Sequence, residues 1–408
     1  MKCRHCGADV TLPFVDLGAA PPSNAYLDVS ALDAPETHYP LKVMVCQSCW
    51  LVQTRDYTHF ADLFAADYAY FSSFSTSWLT HAERYVDEMC ERFGLGTSSQ
   101  VIEVAANDGY LLQYMKARRI PCLGIEPTAS TAHAARQKGL EMVEDFFGVR
   151  LATQLRDRGF AADLMAANNV LAHVPDINDF VAGFTTLLKP QGVATFEFPH
   201  LLNLVRENQF DTIYHEHFSY LSLTAVSRIF AAYGLQVFDV EQLPTHGGSL
   251  RVFAQRADSG RHPLSPQLSV VANAERAAGM ETTEFYTGFQ MKAEAVKNGL
   301  LCFLLNAHRE GRTVAAYGAA AKGNTLLNFA GVRPDLIRYV VDRNPAKQGR
   351  HMPGSRIPIV AEDQLRVTQP DYVLLLPWNL RDELVKQLDY VREWGGRFVT
   401  AVPEVAVL

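Results

Sequence analysis

The stretch Asp211-Thr-Ile-Tyr214-His215-Glu216-His217-Phe218 gathers two imidazoles, two carboxyls and a phenol within eight residues. An imidazole titrates near neutral pH, and a neighbouring carboxylate or phenol can orient it or hold a second proton, so proton transfer is the chemistry this cluster suits. Metal binding is the rival reading. Helical metal pairs follow H-E-x-x-H, whereas His215 and His217 lie two apart and face opposite sides if the segment is extended. Acid–base work is therefore preferred.

A different chemistry belongs to Cys3-Arg-His-Cys6 and Cys46-Gln-Ser-Cys49, each spaced to bite one tetrahedral metal from a turn. A redox dithiol or buried apolar cysteines would be the plainer explanations. Seven cysteines with four in these two pairs fit thiolate ligation in a reducing compartment better than a disulfide framework. Zinc is the expected ion. Four thiolates leave no position for water, and so small a segment cannot hold together by apolar burial alone, so the metal is read as structural. The long loop between the pairs, with Pro21-Pro22-Ser23-Asn24-Ala25-Tyr26, has room to reach an active site.

The elements that must position this chemistry centre on Val101 to Gly109, an apolar strand running into a small-residue turn, followed by an amphipathic helix from Tyr110 to Arg119. Such a turn lets main-chain N–H groups approach a nucleotide-like cofactor, and Gly109 supplies backbone freedom. The turn has a single glycine instead of G-x-G-x-x-G, which argues against NAD. The next strand ends at Glu126-Pro127, where a carboxylate can accept both ribose hydroxyls. Asp145-Phe146 ends a third segment and can meet an adenine amino group and cover its ring. Glu103, Asp108, Glu126 and Asp145 surround the turn with negative charge, which suits a cationic sulfonium better than a pyrophosphate. The candidate cofactor contacts are Glu103, Ala105, Asn107, Asp108, Gly109, Glu126, Pro127, Asp145, Phe146 and Asn168.

Further strands at 162–167 and 192–199, and a strand pair at 235–243 and 249–255 around His246-Gly247-Gly248, predict a doubly wound sheet closed by an antiparallel pair. Before it, Asp67-Tyr68-Ala-Tyr70-Phe71-Ser72-Ser73-Phe74-Ser75 reads as a loop, either packing between domains or presenting tyrosine hydroxyls to a polar substrate. After it, a polar link near 256–266 and a helical passage from 268 to 307 lead to another strand, Gly311-Arg-Thr-Val-Ala-Ala-Tyr317-Gly318. That strand enters Gly318-Ala-Ala-Ala-Lys322-Gly323-Asn324, where a lysine at a helix start suits phosphate oxygens without forming a Walker A motif. A strand ending at Asp342 follows. The expected division is 1–75, 76–258 and 259–408, with the last part a second small α/β sheet or else a non-binding packing domain.

With 408 residues, 48% hydrophobic and 20% charged, the chain has room for two or three globular domains. A net charge of -7 gives no footprint for nucleic acid or an anionic membrane, and no apolar run approaches spanning length. The Met1-Lys-Cys-Arg-His-Cys start lacks a signal-peptide core, so the expected location is the cytoplasm.

The strand-end acids resemble those of class I S-adenosylmethionine methyltransferases. Taken with the paired C-x-x-C, Asn107-Asp108-Gly109, Tyr214-x-Glu216-His217, His246-Gly247-Gly248 and Tyr317-Gly-Ala-x-Ala-Lys322, the whole chain resembles the sugar C-methyltransferases acting on nucleotide-linked 4-keto-deoxysugars. That resemblance implies an α/β protein with a small N-terminal zinc-binding module, a central class I methyltransferase Rossmann-like domain and a second C-terminal Rossmann-like domain. It implies His217 as base, with Tyr214, Glu216, His173 and Tyr68 around it. Tyr70, His246, Gly247, Gly248, Arg251, Tyr317, Gly318, Lys322, Gly323, Asn324 and Asp342 would contact the substrate, a thymidine or guanosine diphosphate sugar methylated at carbon 3 in preference to carbon 5. His215 and Ser249 depart from the acids expected at those places. A monomer is expected. O- or N-methylation and an inactive zinc-containing scaffold are the alternatives. Carbon methylation makes physical sense here, because a ketone next to the carbon lets a base remove its proton as an enolate.

Overall fold

The computed structural model describes residues 1–57 and 71–408. Three sheets organise them. The first joins β1 (Leu12–Ala20), β2 (Tyr39–Val45) and β3 (Val52–Thr54) as an antiparallel meander. The second holds β4 (Val101–Val104), β5 (Cys122–Ile125), β6 (Glu141–Val143), β7 (Ala162–Asn168) and β8 (Leu188–Pro199). The two-residue strand β9 (Ser219–Tyr220) then leaves the central region and pairs antiparallel with β3, so the residues just after His217 form the outer strand of the first sheet. Sequence periodicity does not reveal so short a strand.

The central sheet is completed by β10 (Leu235–Leu243) and β11 (Ser249–Arg256), giving the order β10-β11-β8-β7-β4-β5-β6. The strands from β6 to β8 are parallel, while β11 and β10 are antiparallel, as the expected closing pair requires. The Thr76–Phe93 helix packs its Ala82, Tyr85, Val86 and Met89 on this sheet; Ser75 caps its start and Gly94 ends it in a left-handed conformation.

Helices Pro266–Ala277 and Phe289–Arg309 lead into the third sheet, β14-β13-β12-β15-β16-β17, built from β12 (Val314–Tyr317), β13 (Val340–Val341), β14 (Ile359–Val360), β15 (Tyr372–Leu375), β16 (Arg397–Thr400) and β17 (Ala406–Val407). It is parallel except at β17.

The N-terminal module does not stand alone. Phe14, Val15, Leu41 and Val43 share one apolar core with Phe289, Leu300, Val314 and Leu326, whereas Cys3, Cys46 and Leu51 join the core of the central sheet. Its first sheet thus bridges the other two. In both α/β sheets strand order reverses beside the first strand, β4 in one and β12 in the other. Ligands bind outside the carboxyl ends of strands at such a switch point, where neighbouring loops diverge. No helix among the described residues is long and apolar enough to cross a membrane.

Candidate active site

Both switch points open onto one cavity of about 550 Å³. Its central-sheet wall comes from the turns after β4, β5, β6 and β7, including Ala105, Asn107, Glu126, Pro127, Asp145, Phe146 and Asn168. The opposite wall comes from the turn after β12, with Ala320, Ala321 and Lys322, and from Lys347. Between the walls stand His173, Thr212, Tyr214, His217 and His246. Residues far apart in sequence thus converge because two sheets face each other strand-end to strand-end.

The turn after β4 uses left-handed backbone at Ala105, φ 60°, and Asn107, φ 49°, besides Gly109 at 76°. Neither alanine nor asparagine is needed there sterically as glycine would be, so the conformation is held by its surroundings. Glu126 does part of this, accepting from the Asn107 N–H at 2.9 Å and the Thr128 N–H at 3.0 Å. Gly109 itself does not line the cavity; a Cβ there would strike Leu140, so its lack of a side chain serves packing.

Four acids face this wall: Glu126, Asp145, Asp176 and Asp179. Two of the acids expected there do not. Glu103 is fully buried within β4, and burial drives its carboxyl well above the ordinary range, toward the neutral form. Asp108 turns inward to an ion pair with Lys138 at 3.3 Å. Phe146 is 53% exposed and lines the cavity. Asn169, also lining the cavity, has both amide atoms buried and without a partner among the described residues, a donor and an acceptor placed for a ligand. A ribose, an adenine and a cationic centre fit this donor and acceptor set.

The proton-transfer group is better defined. His217 Nδ1 donates to the Thr212 carbonyl at 2.8 Å, and His173 Nδ1 to the Glu216 carbonyl at 2.9 Å. A carbonyl only accepts, so in each neutral ring Nε2 is the basic nitrogen. Burial lowers His217 well below the usual histidine range, with His173, His246 and Lys322 adding repulsion, and burial pushes His173 down to about 4. Both rings are neutral bases at pH 7. The Tyr214 ring lies 3.9 Å from that of His217, and His173 lies 4.5 Å from it.

Glu216 is next in sequence but differently placed. It is buried off the cavity wall, its Oε1 accepts from Asn24 Nδ2 at 3.1 Å, and burial raises it to about 7. Asn24 belongs to the loop expected to reach the site, and it does line the cavity. His215 points to the first sheet, where Nε2 meets the Tyr39 carbonyl at 3.1 Å, so the two histidines of the motif do face apart. Tyr68 and Tyr70 lie outside the described residues.

Of the expected substrate contacts, His246 and Lys322 line the cavity. His246 sits at φ 55° in a tight turn, its Nδ1 buried without a partner among the described residues. Gly247 and Gly248 build that turn beneath Trp378 and Asn203 and do not face the cavity. Arg251 is only 1% exposed, paired with Glu197 at 3.0 Å and Glu241 at 3.1 Å; Glu197 also accepts from Thr245 at 3.0 Å, so Arg251 fixes the turn from behind. The Tyr317 hydroxyl is engaged by Glu362 at 3.1 Å and Gln387 at 2.8 Å, away from the cavity. Gly318 and Gly323 let Pro377 and Leu376 pack close. Asn324 donates to the Ser23 carbonyl at 2.6 Å, and Asp342 accepts from the Ala319 N–H at 2.8 Å, so both are spent on shaping the wall. Sequence reasoning passed over Trp78, Tyr110, Asn169 and Lys347, which line the cavity through tertiary packing. For Lys347 a signal existed: it follows the third sheet's second strand, in the loop a doubly wound sheet turns toward its ligand.

The four paired cysteines also converge. Their Sγ atoms all lie within 4.8 Å of one another, with Cys3 to Cys49 at 3.6 Å and Cys6 to Cys46 at 3.5 Å. Bonds of 2.3 Å to a tetrahedral ion space sulfurs about 3.8 Å apart, so the set fits such a metal. The two turns are copies: Gly7 and Trp50, at φ 71° and 62°, donate to the carbonyls of Cys3 and Cys46 at 3.0 and 2.8 Å. Gln53 donates to Cys3 Sγ at 3.2 Å, as a partner outside the ligand shell should. Arg4, inside one turn, donates to the Pro175 carbonyl at 3.0 Å and so grips the cavity wall.

Comparison with known proteins matches three successive segments of the chain. Residues 3–64 match a zinc binding domain family, 78–240 a methyltransferase domain family and 244–403 the C-methyltransferase C-terminal domain family. The chain is 35% identical over 407 residues to C-methyltransferase NovU of Streptomyces niveus, covering 100% of this chain and 96% of that protein. Among solved structures, magnesium protoporphyrin IX methyltransferase (ChlM) from Synechocystis PCC 6803 with bound SAH is similar at 13% identity, covering 44% of this chain and 83% of that one with a TM-score of 0.36. The PH0226 protein from Pyrococcus horikoshii OT3 is similar at 12% identity, covering 49% and 100% with a TM-score of 0.39.

Proposed function

The chain belongs to the C-methyltransferase family, and from that premise we propose that it methylates a carbon next to the ketone of a nucleotide-linked 4-keto-deoxysugar, carbon 3 in preference to carbon 5. The observation that carries this reading is the division of charge across one cavity. The central-sheet wall presents Glu126, Asp145, Asp176 and Asp179, and the third-sheet wall presents Lys322 and Lys347. A cationic methyl donor suits the first wall; on the second, Lys347 suits an anionic diphosphate and Lys322 the polar sugar, with the neutral histidines where the walls meet.

S-adenosylmethionine, when bound, supplies a methyl group made electrophilic by its sulfonium charge. Glu126 would accept from the ribose hydroxyls, Asp145 from the adenine amino group, and Phe146 would cover the ring. His217 then takes the proton from the carbon beside the ketone at Nε2, its other nitrogen being held by Thr212. Tyr214, its ring tilted 31° against that of His217, and His173 keep the imidazole in place and would meet substrate oxygens. Glu216 shapes the loop through Asn24 and His173 and is the rival base. Zinc on Cys3, Cys6, Cys46 and Cys49 has no chemical step; it fastens the turn whose Arg4 holds the wall at Pro175. The reading places the enzyme in the cytoplasm, acting as a monomer on a thymidine or guanosine diphosphate sugar.

The test is product analysis. With S-adenosylmethionine carrying a carbon-13 methyl and a thymidine diphosphate 4-keto-6-deoxyhexose, a new methyl resonance coupled to a ring carbon is expected. A methyl attached to oxygen or nitrogen would contradict the reading, and no transfer to this or the guanosine analogue would remove it.

A further inference from the structure

Resting on the C-methylation reading, we propose that the Lys322 ammonium holds the oxygen of the substrate ketone and of the enolate formed from it, which makes Lys322 a catalytic residue and not a diphosphate ligand. Its position is the first reason. Lys322 is the second residue of the Ala321–Ala330 helix and lines the cavity together with Ala320 and Ala321, on the wall facing Thr212, Tyr214, His217 and His246. The small side chains let a ligand come close, and the helix start adds positive potential.

Donor accounting is the second reason. An ammonium has three N–H donors. Among the described residues Lys322 donates to Asn379 Oδ1 at 2.5 Å, lies over the face of Trp378, 4.8 Å to the ring centre, and has the Asp211 carboxyl as a charged neighbour without a hydrogen bond to it. Donors are left over, and they open on the cavity.

A third reason is how the lysine is tied to the base. Trp378 Nε1 donates to Asp211 Oδ2 at 2.7 Å, and the next residue, Thr212, holds His217. Thr325 from the same helix as Lys322 donates to the Ile213 carbonyl at 2.8 Å. Cation and base are therefore mounted on adjoining residues of one buried segment, the fixed geometry that stabilisation of a developing oxyanion needs. The nearby imidazoles cannot take this part as cations. Burial, and then Lys322 itself, holds His246 down to about 4.

The step balances within the site. The C–H bond breaks with its proton going to His217 Nε2, its electron pair forms the C=C bond, and the carbonyl pair moves onto oxygen beside Lys322. When the enolate carbon bonds to the methyl group, the S–CH3 bond breaks with its pair left on sulfur, and the C=O bond is restored.

The experiment uses the full-length zinc-loaded protein with S-adenosylhomocysteine and a thymidine diphosphate 4-keto-6-deoxyhexose in deuterium oxide. Two quantities are read: substrate-carbon exchange at saturating substrate, and thymidine diphosphate affinity by calorimetry. Lys322→Met should slow exchange by about 10²–10³, the range for losing one oxyanion donor, while leaving nucleotide affinity within about threefold. Asn379→Ala, which removes only the acceptor that orients the ammonium, should slow exchange by roughly tenfold and covers the case in which Lys322→Met does not fold. Wild-type exchange in either variant overturns the proposal. Loss of nucleotide affinity with exchange retained would make Lys322 a diphosphate ligand. Failure of the wild type to exchange would instead overturn C-methylation itself, and this proposal with it.

Discussion

Asn24 and Glu216, 192 residues apart, are joined by an amide-to-carboxyl hydrogen bond of 3.1 Å between the N-terminal loop and the residue preceding His217. The carboxyl is fully buried, and burial raises it from 4.5 to about 7. A raised folded-state value means the stability contribution is complete below 4.5 and is lost as pH rises through 7. Glu216→Gln should therefore gain stability over wild type at pH 8, on the order of 3 kcal/mol, and show no gain near pH 4.5. Urea denaturation at the two pH values measures this. An equal effect at both would contradict the buried protonated carboxyl.

The two candidate bases, His217 and Glu216, separate by pH. His217 is depressed by burial and faced by His173, His246, Lys322, Tyr214 and Tyr220, so it stays neutral through the neutral range. The acid limb of kcat/KM should lie well below 6.5 if His217 is the base. A limb near 7 would point to Glu216. For the histidines stability runs opposite to that of Glu216: a lowered value means their contribution is present above 6.5 and is lost as pH falls, for His173 down to about 4. Rates should be taken where unfolding has been excluded.

Replacing Cys46 with Ser should release the metal and lower the melting temperature, because ligation is part of folding the module. Arg4→Ala should keep the metal yet reduce turnover by roughly ten- to a hundredfold, since it frees the Pro175 wall without touching a ligand. Metal content by emission spectroscopy, read beside turnover, distinguishes the two. Absence of zinc from the wild type would refute the first expectation, and full activity of Arg4→Ala the second.

Glu126→Ala should weaken S-adenosylhomocysteine binding by roughly 1.5–3 kcal/mol, the value of a charge-assisted hydrogen bond. Because Glu126 also holds the Asn107 and Thr128 N–H groups, Glu126→Gln, which keeps one acceptor, should lose less. Calorimetry showing unchanged affinity in both variants would remove the ribose assignment.

Much of this was legible in the chain because the signals are local. Cysteine spacing marks its own metal turns, and Glu126 and Asp145 stand at strand ends where any doubly wound sheet turns its loops toward a ligand. What was hidden depends on direction and on distant pairing. Glu103 reads like the other acids, but its place inside a strand buried on both faces sends its side chain away from the cavity. Ala105 and Asn107 adopt the left-handed backbone that a sequence reader assigns to Gly109. Lys322 reads as a phosphate ligand from its own motif; only the docking of its helix on Ile213, through Thr325, brings it beside the base. The strand at Ser219–Tyr220 has no periodicity at all and exists because β3 needs a partner.

The most direct measurement of the central claim is solvent exchange at the substrate carbon without methyl transfer. Wild type, His217→Asn and Glu216→Gln are each incubated in deuterium oxide with S-adenosylhomocysteine and the 4-keto sugar nucleotide, and deuterium next to the ketone is followed by NMR. The account predicts exchange in wild type, its loss in His217→Asn and its persistence in Glu216→Gln. Exchange that continues at the wild-type rate in His217→Asn and disappears in Glu216→Gln would contradict it.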